Sequence, residues 1–319
     1  MGEGSMRVGR RLVIMAPVIA GVVALTESPA LAAYYNTYSD IAGTPDTNGC
    51  TGAQGFAAGS TYLYSIKNRT GSDDLSVIYR VNKTTGDRVL MTNGTDGGVT
   101  NPWLGHGNDV TIVDIDGAHH LFVVTMKPSG GAQLVRLLYE GSTYYFAGSY
   151  EVRLNGATLV PSGISRVSVS STTITFMFKS GRTVYNGSLP LRASSGTIDL
   201  TKAFDLQVDG ALVNGATVPD LDTFLNQGFY YDTAEQVLYN PLTKDNRSIV
   251  LVYRGVSPAT TGTAPAASDL SFRITSSAYT FFEIEGVGIS DGKLYFSTNR
   301  SNDSGANDGV HVFKDYVAA

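Results

Sequence analysis

Strand-length apolar runs rich in Val, Ile, Thr, Tyr and Phe alternate with clusters of Gly, Asn, Asp and Ser along residues 34–319, and helical patterning is almost absent. Branched and aromatic residues at that length, bounded by turn formers, predict an all-β chain. The stretch Gly105–Thr125, GHGNDVTIVDIDGAHHLFVVT, shows the pattern most plainly. A polar cluster (His106, Asn108, Asp109) leads into Val110–Val113, then Asp116–Gly117, then Leu121–Val124. Asp-Gly between two apolar runs signals a two-residue hairpin, because both central positions of a type I′ turn need positive φ.

The same plan recurs at long period. A glycine starts each inner strand at Gly55, Gly107, Gly163, Gly228 and Gly286, with separations of 52, 56, 65 and 58 residues. Repeat one reads as strands Phe56–Ala58, Tyr62–Ile66, Leu75–Val81 and Arg88–Met91. Repeat two reads as Val110–Asp114, His120–Thr125, Gln133–Tyr139 and Tyr144–Leu154. Repeat three gives Ile164–Val169, Thr173–Phe178, Thr183–Leu189 and an outer strand near Ile198–Leu206. Repeat four gives Phe229–Asp232, Gln236–Asn240, Ser248–Tyr253 and Ser271–Thr275, with Pro258–Ala267 as a flexible insertion. Repeat five has only Val287–Ser290, Lys293–Thr298 and Gly309–Lys314. Tyr34–Ile41 is a spare strand at the other end, and pairing it as the missing outer strand hides two sheet edges. The expectation is a five-bladed β-propeller closed by that N-terminal strand, with a β-sandwich or jelly roll as the rival.

Residues 1–32 stand apart. Arg7, Arg10 and Arg11 precede the apolar run Leu12–Leu25, and Ala30-Leu31-Ala32 makes a small-x-small site. That is the layout of a secretory signal peptide, so 33–319 is expected as one secreted, extracellular domain with no integral membrane anchor. The formal net charge of −5 disfavours nucleic acid as a partner. Cys50 is the single cysteine, which excludes an internal disulfide and reads as a structural thiol. Nothing suggests more than a monomer.

In a propeller, the loops entering each inner strand share one face. Here they bring Gln54, His106, Asn108, Asp109, Ser162, Ser165, Asn226, Gln227, Glu283 and Glu285 toward one axis. Amides and carboxylates suit the hydroxyls of a sugar, and Trp103 offers a stacking plane for its C–H side. The bland reading makes Asn108 and Asp109 turn-capping residues and leaves only Glu285 axial. Loops joining the second and third strands add mixed charge, including Lys67 and Lys179. The chain lacks a nucleophile elbow, whereas glycoside hydrolysis needs only two carboxylates across a cleft, and Asp109 with Glu285 is the pair to test. No cofactor is expected. The oxygen-rich loop Asn302–Asp308 is the one calcium candidate, His119 and His120 point to opposite faces of a strand, and His311 stands alone.

With GHGNDV at Gly105–Val110, the repeated LY/LF strands and EIEGVGISDGKLYFSTNR at Glu283–Arg300, the chain resembles the helveticin J-like family of large bacteriocins. The resemblance spans most of residues 33–319 and carries no catalytic signature. It implies a secreted, heat-labile antibacterial protein that binds cell-wall carbohydrate of competing Gram-positive cells. The clear signal peptide is a departure from that family's pattern. Two further readings stand beside it: a glycoside hydrolase of the five-bladed type using Asp109 and Glu285, and a non-catalytic lectin-like adhesion module.

Overall fold

The computed structural model describes residues 37–275 and 278–314, so the expected signal peptide lies outside the described residues. The fold is all-β. Repeat one is an antiparallel sheet of Gly52–Ala58, Tyr62–Asn68, Ser76–Asn82 and Arg88–Leu90 in that order. Repeat two runs Asp109–Ile115, Ala118–Val124, Leu134–Glu140 and Thr143–Leu154, and repeat three Gly163–Val169, Thr173–Ser180, Thr183–Pro190 and Ser195–Leu206. Repeat four is built on Tyr230–Asp232, Val237–Lys244, Arg247–Tyr253 and Phe272–Thr275. The Asp116–Gly117 hairpin has φ of 53° and 82°, both positive as the turn chemistry demands.

Repeat five supplies Phe281–Ser290, Lys293–Asn302 and Gly309–Phe313, and its fourth strand is Tyr38–Gly43, antiparallel to Gly309–Phe313. Of the expected latch Tyr34–Ile41, residues 34–36 lie outside the described residues. Side chains reinforce this junction. Arg300 donates to both Asp40 carboxylate oxygens, at 3.2 and 3.1 Å. His311, far from standing alone, is fully buried: Nδ1 donates to Asp40 (2.9 Å) and Nε2 accepts from Thr298 (2.7 Å).

The first strands of the repeats meet in a closed circuit. Gly52–Ala58 touches Asp109–Ile115 and Phe281–Ser290, Asp109–Ile115 touches Gly163–Val169, and Tyr230–Asp232 joins Gly163–Val169 to Phe281–Ser290. Two stacked layers would not give every first strand two such neighbours. The core follows the same order, with five apolar clusters between successive repeats and a smaller one around Cys50, Val77 and Tyr79 in repeat one. Phe56, Val110, Ile164, Phe229 and Val287 each belong to a different one. Burying a side chain of that size contributes about 1.5–3 kcal/mol.

Crowding at the circuit explains the recurring glycines. A Cβ on Gly55 would lie 2.6 Å from the Gly107 carbonyl oxygen, and one on Gly286 would lie 2.9 Å from Phe56 Cβ. Two features depart from the sequence expectation. The outer strands of repeats two and three pair in parallel, Ser149–Leu154 against Ser195–Leu200, because both extend to twelve residues. The Pro258–Ala267 insertion is docked: Gly262–Ala264 pairs in parallel with Phe204–Leu206, and Ala264 is buried in the core of repeats three and four.

Candidate functional site

At the entry end of the first strands, backbone contacts draw the repeats together before any side chain is considered. Gly55 N–H donates to Gly107 O (2.8 Å), and Gly228 N–H donates to Glu285 O (3.0 Å). Two of these strands carry bulges there, between Ala53 and Phe56 and between Ile284 and Gly286. A bulge breaks the two-residue alternation and re-aims side chains, here Gln54 and Glu285, both buried.

Asp109 occupies the centre and is 1% exposed. Its Oδ1 accepts the Val110 N–H (2.9 Å), and its Oδ2 accepts the N–H groups of Ile164 (2.9 Å) and Phe229 (3.1 Å). One carboxylate thereby ties repeats two, three and four. Burial pushes its pKa up to about 7, against the three N–H donors and the charge of Lys179. Lys179 is fully buried and donates to Gln227 O (2.5 Å) and Asn240 Oδ1 (2.5 Å), and burial pulls it down to about 7. Lys67 is equally buried, on Asp46 (2.6 Å), Asp308 (2.8 Å) and Thr44 O (3.0 Å). Both lysines were expected as loop charges between second and third strands, and both lie inside second strands. The last residues of the second strands instead turn under the axial end, where carbonyls and carboxylates receive the ammonium.

Glu283 and Glu285 form the other acidic group. Glu283 is partly exposed and accepts from Gln227 Nε2 (2.5 Å), whereas Glu285 is 2% exposed and its Oε1 has no hydrogen-bond partner. The two carboxyls abut. Burial raises the pKa of both, and in Glu285 the neighbouring Glu283 charge raises it further. Such a pair gives up its second proton less readily than a lone carboxyl.

The remaining residues take distinct places. His106 is partly exposed, and its Nδ1–H donates to Asp73 Oδ2 (3.0 Å). Asn108 donates to Ser162 O (2.6 Å), Ser165 Oγ accepts from Tyr231 N–H (3.0 Å), and Asn226 Oδ1 faces Asn240 Nδ2 at 3.5 Å. Trp103 offers no open stacking plane at the axis. Its ring is spent on the outer strand of repeat two, 5.2 Å from Phe146 and edge-on to Tyr144. The Asp109–Glu285 pair does not face a cleft either, since both carboxyls are enclosed and Asp109 is saturated by backbone donors. Of the expected axial set, His106, Ser162, Asn226 and Glu283 are the side chains left partly open, with Gln227 bound to Glu283. Asp73, in a charged loop of repeat one expected on the same face, is the residue that receives His106.

Cys50 is buried, with its thiol directed at Leu75 O (3.6 Å), and burial raises its pKa. Among the described residues, no group of three or more His, Cys, Asp or Glu is arranged to hold a metal ion. His119 is exposed beside Asp114 while His120 is buried against Arg136, on opposite strand faces.

No family model matches the chain, and no curated protein matches it. Solved structures do. A GH43_1 enzyme from Xanthomonas citri superposes with a TM-score of 0.51 at 10% identity, covering 89% of this chain and 92% of that one. The chain shares that fold. CoXyl43, a GH43 β-xylosidase/α-arabinofuranosidase from a compost microbial metagenome in complex with xylotriose, calcium-free form, gives 0.50 at 8% identity, covering 88% and 93%. Bacteroides ovatus xyloglucan PUL GH43B gives 0.49 at 11% identity, covering 84% of this chain, which spans about half (53%) of that protein's length.

Proposed function

We propose that the chain is a five-bladed β-propeller, with Tyr38–Gly43 as the fourth strand of its fifth blade, and that its polar axial end binds polysaccharide. One observation carries this reading: His106, Gln227 and Glu283, from three different repeats, converge at the entry end of the first strands, linked there by the Gly228–Glu285 contact. Amide, imidazole and carboxyl groups offer donors and acceptors to sugar hydroxyls. The shared fold with GH43 enzymes, two of them captured with xylose or xylotriose, supports a pentose-rich glycan as the first ligand class to test.

A hydrolytic reading has an observation of its own. The Glu283–Glu285 pair keeps a carboxyl protonated above the ordinary carboxylate range, which is what a general acid toward a leaving-group oxygen requires. In this reading Glu283, the open member, donates the proton and Glu285 tunes it. Asp109 takes no part.

Pull-down on insoluble xylan, arabinoxylan and isolated bacterial cell walls, run with a reducing-sugar assay, tests both readings. Retention on a polysaccharide that weakens at least tenfold in Gln227→Ala supports binding, and sugar release abolished in Glu283→Gln supports hydrolysis. Retention on none of them overturns the proposal. Secretion and killing of Gram-positive cells, implied by the helveticin J-like resemblance, are separate claims that a lawn-inhibition assay tests.

A further inference from the structure

One cavity lies away from the polar axial end. It holds about 670 Å³ and opens where the first strands finish, beside the first hairpins of repeats one and two. Phe56, Val110, Ile164, Phe229 and Val287 form its floor, each at most 4% exposed, and they stand between it and the Asp109 cluster. The two ends are therefore separate sites, divided by an apolar plug.

The walls of this funnel are rich in hydrogen-bond donors. Arg166 is exposed, and among the described residues its guanidinium has no hydrogen-bond or ion-pair partner; its backbone pairs with Phe176 in the sheet and its N–H donates to Thr111 Oγ1 (3.1 Å). The Tyr230 hydroxyl lies within the field of that guanidinium. On the opposite wall Arg80 stacks over Tyr62 at 4.2 Å, donates to Gly141 O, and keeps a buried Nε–H without a partner. The facing carboxylates are Asp114, taken by His119, and Glu140, which sits next to the carbonyl held by Arg80. The unspent capacity is thus a free guanidinium, a second one half-used, and the Tyr230 hydroxyl, around a volume larger than a single inorganic anion fills.

We propose that this funnel is a second ligand site, distinct from the polar axial end, and that it takes a sugar bearing a carboxylate, with Arg166 pairing the carboxylate and the Tyr230 hydroxyl meeting a sugar oxygen. A free guanidinium presents the planar fork that matches a carboxylate in two parallel hydrogen bonds. The proposal rests on the fold and the cavity and stands whether or not the axial end binds polysaccharide.

Isothermal titration of the purified full chain with sodium glucuronate, glucose and inorganic phosphate tests it. Glucuronate is expected to bind at least tenfold more tightly than either glucose or phosphate. Arg166→Gln, at an exposed position, is expected to weaken glucuronate at least tenfold and to leave retention on polysaccharide unchanged. Tyr230→Phe, which keeps the ring, is expected to weaken it several-fold. No glucuronate binding, equal affinity for glucose or phosphate, or unaltered affinity in Arg166→Gln would each overturn the proposal.

Discussion

The Asp109 carboxylate accepts the backbone N–H of Phe229 at 3.1 Å, across 120 residues of sequence. The same oxygen takes the Ile164 N–H, so a residue that reads as a catalytic candidate in the sequence is a fastener between repeats. Asp109→Ala strands three buried N–H groups and the Lys179 ammonium, with an expected loss of about 3–5 kcal/mol in urea unfolding. A variant that keeps full stability would contradict this role.

The latch between Asp40 and the last repeat makes stability depend on pH in a definite direction. The His311 hydrogen bond is the main cause holding Asp40 below its ordinary value, and burial pulls His311 down to about 4. Both depressed values mean that the unfolded chain takes up protons first as pH falls. The latch contribution is then full above the ordinary histidine value of 6.5 and declines as pH drops toward 4. Hydrogen exchange at Tyr38–Gly43 is expected to quicken between pH 7 and pH 4.5. Asp40→Asn is expected to cost about 1–3 kcal/mol at pH 7 and to leave the trend between pH 7 and pH 4.5 in place, because the Asp40 carboxylate opposes the burial that depresses His311.

Glu285 runs the other way. Its raised folded-state pKa means that the folded chain holds the proton more tightly than the unfolded one, so stability is full below the ordinary value of 4.5 and is lost as pH rises through the raised value. Glu285→Gln keeps the shape and removes the charge. The thermal midpoint of the variant is expected to exceed that of the parent at pH 8 and to match it near pH 4, by calorimetry at both values.

Gly55→Ala tests the crowded circuit. The added methyl meets the Gly107 carbonyl oxygen, which the backbone hydrogen bond fixes in place, so a loss of about 1–3 kcal/mol is expected. Gly71→Ala, where a Cβ meets nothing, is the comparison for the backbone cost of a positive φ alone.

Much of the strand order was legible because each repeat writes the same local rule: a glycine where strands crowd, an apolar run, a tight turn. The spare N-terminal strand was legible from a missing partner in repeat five. The fates of Lys67 and Lys179 were not, since a lysine at a strand end looks solvated until the carbonyls and carboxylates from other repeats are in place. The inward direction of Gln54 and Glu285 was expected, but the bulges that deliver it were not legible, because a one-residue insertion leaves no mark on the two-residue alternation. The funnel was invisible for a different reason. Its walls come from positions such as Tyr62, Arg80 and Arg166 on three separate strands of two repeats, which share no sequence spacing.

The central claim is that the polar axial end is a glycan site, and a crystal of the full chain soaked with xylotriose tests it most directly. The account expects the sugar against Gln227, Glu283 and His106, with Asp109 untouched beneath them. Sugar bound only elsewhere on the molecule, or none at saturating concentration, would contradict it.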